Sequence, residues 1–281
     1  MKVTVVCATA RLGGLDITAY GLKRQTRPPD LFVLVDEWFH LRKKQVEKLF
    51  EGQPLQYEFP GWENFGFSRI AQAHNFGAKL ADEGLLVWMN DYMYVPPDWL
   101  ARMEVFAESY PGWSLSGTQY RYELPEEETT PNLTHTFQIP FEPFRVFQPE
   151  PVYRDFRNNL KAVDGIPFPE LPHTHWFGGI NDSTLVRFGE QVGWADERLD
   201  GVPGGQDTDY AFRVSRLGHR FAFDASLITH EIRGGVHYSP AIHRCPCVTR
   251  GVDDNLEMIK KYHHRIINES APVDWREDGN S

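Results

Sequence analysis

Cysteine is scarce: three residues in 281, at Cys7, Cys245 and Cys247. A set that small and odd excludes a disulfide framework. Cys7 sits in the apolar run VTVVCA and reads as a core thiol. Cys245-Pro-Cys247 follows His237 and His243, but zinc sites space their cysteines about two to four apart, so this stretch reads as an ordinary loop. Long hydrophobic runs are missing too. No stretch approaches the roughly 20 apolar residues of a membrane span, and mean hydropathy is −0.47. The opening MKVTVVCATARLGG lacks the long apolar centre of a secretory signal, so the expected location is the cytoplasm. Positive charge is in deficit: 29 basic residues face 39 acidic ones, a net charge of −10. That argues against a general nucleic-acid binder, which needs a concentrated basic face, but leaves room for a local basic groove. There is no Walker-type glycine-rich loop with its lysine, which counts against an ATPase or kinase. Internal repeats and low-complexity tracts are absent. The sequons at Asn132, Asn181 and Asn268 are short enough to arise by chance.

What is present is an ordinary globular composition, 41% hydrophobic and 24% charged. Disordered, collagen-like and coiled-coil chains are excluded on that ground. The length suits one large domain or two small ones, with a full core. Along the first hundred residues strand and helix signals alternate. Val3 to Ala8 is a β-branched run that predicts a buried strand. Residues 14–25 read as a helix, with Leu15, Ala19 and Leu22 on one face. Arg27-Pro28-Pro29-Asp30 breaks the chain. Leu31 to Val35 predicts a second buried strand and 40–50 a charged helix. Ser68 reads as the cap of a helix running to about Asp82. Leu85 to Met89 predicts a third strand, and Pro96-Pro97 opens a helix from Asp98 to Ala107. This alternation predicts an α/β fold with a parallel sheet covered on both faces.

Residues 119–175 differ: they are rich in proline and aromatics, carry the acidic run Glu126-Glu127-Glu128, and show little periodicity. They read as a long insertion that shapes a cleft. Beyond Trp176, helices are expected at Ser183–Glu190 and Thr208–Leu217. Short strands are expected at Arg220–Phe223 and Ser226–Thr229, and a polar terminal helix at 253–268.

In open α/β sheets ligands bind beyond the carboxyl ends of the strands. Three such ends carry polar residues: Thr9-Ala10-Arg11, Asp36-Glu37 and Asn90-Asp91. Each alone suits a turn, where Asp and Asn are favoured. Parallel strands would bring all three to one cleft. Acids there suit a nucleotide diphosphate, one bonding base or ribose and another holding a hard divalent cation.

In order and spacing, these pieces resemble the family-2-type glycosyltransferases of the GT-A fold. The resemblance runs through Ala8-Thr9-Ala10-Arg11, Gln25-Thr26, Val33-Leu34-Val35-Asp36-Glu37, Ala73-His74-Asn75-Phe76-Gly77 and Asn90-Asp91-Tyr92 with Pro96-Pro97-Asp98-Trp99-Leu100. It continues through Gly178-Gly179, Gly193 to Arg198, and Gly204-Gly205-Gln206-Asp207-Thr208-Asp209, a block also similar to animal galactosyltransferases, and ends at His230. It covers about residues 3 to 231 and weakens between 115 and 175. Two motifs depart from the family. Asn90 and Tyr92 replace acids of the metal motif, and Gln206 replaces the acid before Asp207.

The resemblance implies a Rossmann-like mixed sheet with helices on both faces. It implies a single domain over 1–250, the variable 119–175 segment choosing the acceptor, and a helix and tail over 251–281. It implies inverting transfer of a sugar from a nucleotide-diphosphate sugar, UDP favoured, to a hydroxyl acceptor on a glycan, a lipid-linked molecule or a modified nucleic-acid base. Asp207 would be the general base. Thr9, Ala10, Arg11, Asp36, Asn75, Asn90, Asp91, Gly178, Gly179 and Gln206 would bind the nucleotide sugar. Asp91 and His230 would hold Mn²⁺ or Mg²⁺. The helix dipole would keep Asp207 ionised near neutral pH. Trp176 suits sugar stacking or core packing, and Arg69 and His74 a solvated helix face or the diphosphate. Three alternatives stay open: a transferase acting on a nucleic-acid base, for which His219, Arg220, Arg233, His237, His243, Arg244 and Arg250 supply local basic charge; a non-catalytic sugar-nucleotide binder; and a nucleotidyltransferase.

Overall fold

The structure is a computed structural model that describes residues 1–10, 13–59, 61, 69–124, 134–135, 141, 143, 151, 153–162, 167–176, 181–200 and 206–234. The expected cap at Ser68, the helix at 253–268, and the Cys245–Cys247 loop with His237 and His243 lie outside these residues.

The first half builds as its apolar runs dictate. β1 (Val3–Thr9), β2 (Leu31–Asp36) and β4 (Leu85–Asn90) are continuous buried runs, as strands covered on both faces should be. β1 pairs in parallel with both β2 and β4, placing Thr9 opposite Asp36 and Ala8 opposite Asn90. β3 (Leu55–Glu58) extends the same parallel set beyond β2. Helices α1 (Leu15–Leu22), α2 (Phe39–Leu49), α3 (Ile70–Ala78) and α4 (Trp99–Ser109) occupy the connections. Gly77 lets α3 lie close on the sheet, because a Cβ there would stand 2.5 Å from Val6 Cγ1.

The second half makes the sheet mixed. β9 (Asn181–Leu185) runs antiparallel to β4 and joins it to β6 (Trp113–Leu124). β10 (Arg220–Gly234) lies parallel to β6 with an irregularity between Asp224 and Ile228, and its far side takes β5 (Met93–Tyr94) in antiparallel pairing. The order is β3-β2-β1-β4-β9-β6-β10-β5, with β7 (Tyr153–Arg154) on β6 and β8 (Glu170–Leu171) on β10. Helices α5 (Val186–Val192) and α6 (Gln206–Arg216) complete the described residues.

Three expectations need correction. Ser183–Glu190 is not one helix: Ser183 to Leu185 belong to β9, and α5 starts only at Val186. β9 escapes hydrophobic patterning because it is a buried strand of polar residues. The amide of Asn181 explains part of that choice, donating to Thr118 O at 3.0 Å and Leu227 O at 2.9 Å and accepting from Trp99 Nε1 at 2.7 Å. The two short strands after Arg220 are one long β10, bent where the register shifts. Finally, β6 runs to Leu124, so the start of the 119–175 segment is sheet rather than irregular chain.

Candidate active site

The parallel strands β1, β2 and β4 end side by side, and a buried polar chain links their ends. Thr9 Oγ1 donates to Asp91 Oδ2 at 2.7 Å. Arg42, reaching in from α2, points Nη2 at the same Thr9 oxygen at 3.4 Å and grips Asp36 with Nε and Nη2, both at 2.7 Å. Asp36 also accepts from the backbone N–H of Trp38 at 2.8 Å and from the Tyr57 hydroxyl. Asp36 and Arg42 are both fully buried. Tyr57 is pushed up strongly, first by burial and then by the charge of Asp36.

Asp36 therefore has a different task from the one expected of it. Its oxygens are taken by four donors and no surface remains for a base or ribose, so it serves as the counter-ion that fixes Arg42. Asn75 is also reassigned. Its Nδ2 donates to Ala195 O at 2.8 Å and to Glu197 Oε1 at 2.9 Å, while its Oδ1 accepts from Ala195 N at 3.0 Å. That buried amide clamps the 194–197 turn to α3. Asp200 adds a second clamp, accepting from Ala71 N at 2.8 Å and Gln72 N at 3.0 Å. It caps α3 from a distant part of the chain, and burial lifts its pKa to about 7.

Thr9, Ala10, Asn90 and Asp91 come together at the strand ends. Ala10 O accepts from Trp38 Nε1 at 2.9 Å. Asn90 is half-buried at the end of β4. The next residue but one is Tyr92. It takes a positive φ of 61° and is buried against Gly14, where a Cβ would meet its ring at 2.3 Å. Tyr92 is thus a plug in a small core with Ile17, Phe141 and Ile232. A left-handed non-glycine residue beside a site is a strained arrangement of the kind found where backbone must be held in place.

β5 carries the chain from this turn to β10, where Tyr94 faces His230. The ring of His230 lies among Tyr94, Tyr120 and Tyr122, with Nδ1 3.3 Å from the Tyr122 hydroxyl. Burial pulls its pKa down to about 4, which keeps the imidazole neutral, the form that binds metals. Among the described residues no group of three or more His, Cys, Asp or Glu side chains is assembled to hold a metal ion.

Asp207 opens α6, and its Oδ1 accepts from Thr208 N at 2.8 Å. The surrounding protein raises its pKa to about 6, outweighing the backbone N–H groups that favour the ionised form. It is still mostly a carboxylate at neutral pH, though less by virtue of the helix than expected. Gln206 is buried and donates to Leu199 O at 3.2 Å. Asp209 is occupied by Arg213 at 2.8 Å. Trp176 is core, its ring tilted against those of Tyr210 and Phe221. His74 packs on Trp88 with its pKa pulled down to about 4 by burial, so it is not a solvated side chain. Arg11, Gly178, Gly179 and Gly204-Gly205 lie outside the described residues.

The polar strand ends, the mixed sheet and the acid-headed helix α6 lie in one sheet-centred unit. No protein-family model matches the sequence. The chain is 28% identical over 213 residues to validoxylamine A glucosyltransferase of Streptomyces hygroscopicus subsp. limoneus, covering 73% of this chain and 45% of that protein. It thus spans less than half the length of that curated relative. Among solved structures, GalNAc-T7 with UDP, GalNAc and Mn²⁺ superposes with a TM-score of 0.62 at 13% identity, covering 97% of this chain and 52% of the other. S. aureus TarS residues 1–349 with UDP-GlcNAc gives a TM-score of 0.53 at 13% identity, covering 99% of this chain and 78% of the other. Among the described residues no helix is long and apolar enough to cross a membrane.

Proposed function

We propose that the chain is an inverting glycosyltransferase that moves a sugar from a UDP-sugar to a hydroxyl acceptor. The observation that carries this reading is the convergence of Thr9, Ala10, Asn90 and Asp91 at adjoining strand ends in a GT-A sheet that also carries Asp207 at the head of α6. The curated relative's name supports sugar transfer. The UDP and UDP-GlcNAc bound in the structural neighbours support the choice of nucleotide.

The residues divide the work as follows. Thr9 and Arg42 fix Asp91, so that one carboxylate faces the nucleotide with its orientation already set. Ala10 and Asn90 line the same floor. Asp207 accepts the proton of the acceptor hydroxyl as the oxygen attacks, a task that needs a carboxylate ionised near neutral pH and within reach. Attack from one face with one base inverts the anomeric carbon.

Asp91, an anchored carboxylate, and His230, a neutral imidazole, are the residues that would hold a divalent ion, Mn²⁺ or Mg²⁺, the rest of its shell being left to substrate phosphate. When bound, it would neutralise charge on the diphosphate.

Asp207→Asn tests the assignment. It keeps the shape and removes the basicity, so transfer, or UDP release to water if no acceptor is at hand, should fall about 10²- to 10⁴-fold. Affinity for UDP should stay unchanged. A variant as fast as wild type would refute the assignment. Wild type that binds UDP but never turns over any UDP-sugar would favour a non-catalytic binder.

A further inference from the structure

Trp38 is bonded to the ends of both β1 and β2. Its backbone N–H donates to Asp36 Oδ1 at 2.8 Å, and its indole Nε1 donates to Ala10 O at 2.9 Å. Just before it, the N–H of Glu37 bonds Thr9 O at 3.1 Å and carries the β1–β2 ladder up to the indole. Just after it, its carbonyl accepts from Leu41 N at 2.9 Å and Arg42 N at 3.1 Å, in the first turn of α2. Backbone and side chain are thus both held, and the ring has a fixed place beside Ala10. A platform set in place before a ligand arrives loses little freedom on binding it.

The residue stays half-buried, so part of it remains open. Four other aromatics, Phe39, His40, Tyr57 and Phe59, follow it in the chain or belong to β3 and its end. They pack on one another: Phe39 on Tyr57 and His40 on Phe59 at 4.6 Å, and Phe39 on Phe59 at 6.3 Å between ring centres. None of these pairs includes Trp38. The polar side chains of the same floor are turned to each other. Asp36 receives Arg42, Trp38 and Tyr57, and Thr9 Oγ1 donates to Asp91. Asp36 is therefore not at hand to bond the edge of a base, whereas the indole offers a flat surface. Every nucleic-acid base has a flat face that stacks on such a ring.

We infer that Trp38 is the base-binding residue of the nucleotide-sugar site, its indole stacking on the base of the bound nucleotide. This rests on the proposed reading of the strand ends as that site. A stack reads the flat face of a ring and not the hydrogen-bonding pattern of its edge. The contact therefore favours a nucleotide over a bare diphosphate more than it chooses between bases.

Trp38→Phe and Trp38→Leu on the full chain test this, with UDP as the probe. Both variants lose the bond to Ala10 O, but only Phe keeps a flat ring. By calorimetry Trp38→Leu should bind UDP about 5- to 150-fold more weakly than wild type, the range that one base–aromatic stack supplies. Trp38→Phe should recover most of that loss. A ring with a merely structural part would make the two variants alike. In proton NMR the uracil ring protons of UDP should move upfield on binding to wild type and to Trp38→Phe, as they do over an aromatic face, and not on binding to Trp38→Leu. UDP should also quench the tryptophan emission of wild type, and Trp38→Phe should lose most of that quench while still binding. This last result stands even if the Leu variant fails to fold. Equal UDP affinity in wild type and Trp38→Leu, equal losses in the two variants, or a quench kept in full by Trp38→Phe would each overturn the inference and leave the nucleotide site standing. Wild type that binds no UDP would defeat the reading of the strand ends, and the inference with it.

Discussion

Arg42→Met deletes the guanidinium at the centre of the polar chain and keeps most of the stem's volume. In wild type that guanidinium spends two donors on Asp36 and leans a third contact on Thr9, all without solvent. Without it Asp36 retains the Trp38 N–H and the Tyr57 hydroxyl but no counter-charge. Stranding one member of a buried pair costs about 3–5 kcal/mol. At about 2–4 °C per kcal/mol for a chain approaching this size, the melting temperature should drop roughly 6–20 °C. Urea denaturation gives the free energy directly. Adding Asp36→Asn to Arg42→Met removes the stranded charge and should recover a large part of the loss. Thr9 also loses a neighbour in Arg42→Met, so UDP affinity should weaken along with stability. A cost below about 1 kcal/mol, the range of exposed pairs, would refute the reasoning. So would a double variant less stable than the single one.

Gly77→Ala should destabilise by about 1–3 kcal/mol through overpacking, because the new methyl meets Val6 from 2.5 Å across the α3–β1 contact; urea denaturation checks it. Asp200 has a folded-state pKa of about 7 against an ordinary 3.8, so the folded chain holds this proton more tightly than the unfolded one. Its contribution to stability therefore falls as pH rises through that window, and Asp200→Asn should gain on wild type between about pH 4 and 7. Asp200→Ala should cost about 0.5–2 kcal/mol at pH 5, because the first turn of α3 loses its cap.

The fold was most legible where burial on both faces forces continuous apolar runs. Val3–Thr9, Leu31–Asp36 and Leu85–Asn90 announced themselves that way, and with them the strand ends that gather Thr9, Ala10, Asn90 and Asp91. β9 was not legible, because a strand of Asn, Asp, Ser and Thr looks like a turn or a cap until its neighbours supply partners. The part played by Arg42 was equally invisible: a charged helix predicts solvated lysines and arginines, and nothing local marks the one that turns inward. An acid at a strand end suggested ligand contact at Asp36, yet only the fold shows that Arg42, Trp38 and Tyr57 have already claimed it. Asn75 misled for the same reason, its amide being spent on a turn 120 residues away.

Calorimetric titration of UDP into the chain, with and without Mn²⁺, tests most directly whether the strand ends form a nucleotide-sugar site. Wild type should bind one UDP per chain, more tightly with Mn²⁺ than without, and Asp91→Ala should lose the metal's contribution. Wild type that takes up no UDP in either condition would contradict the account.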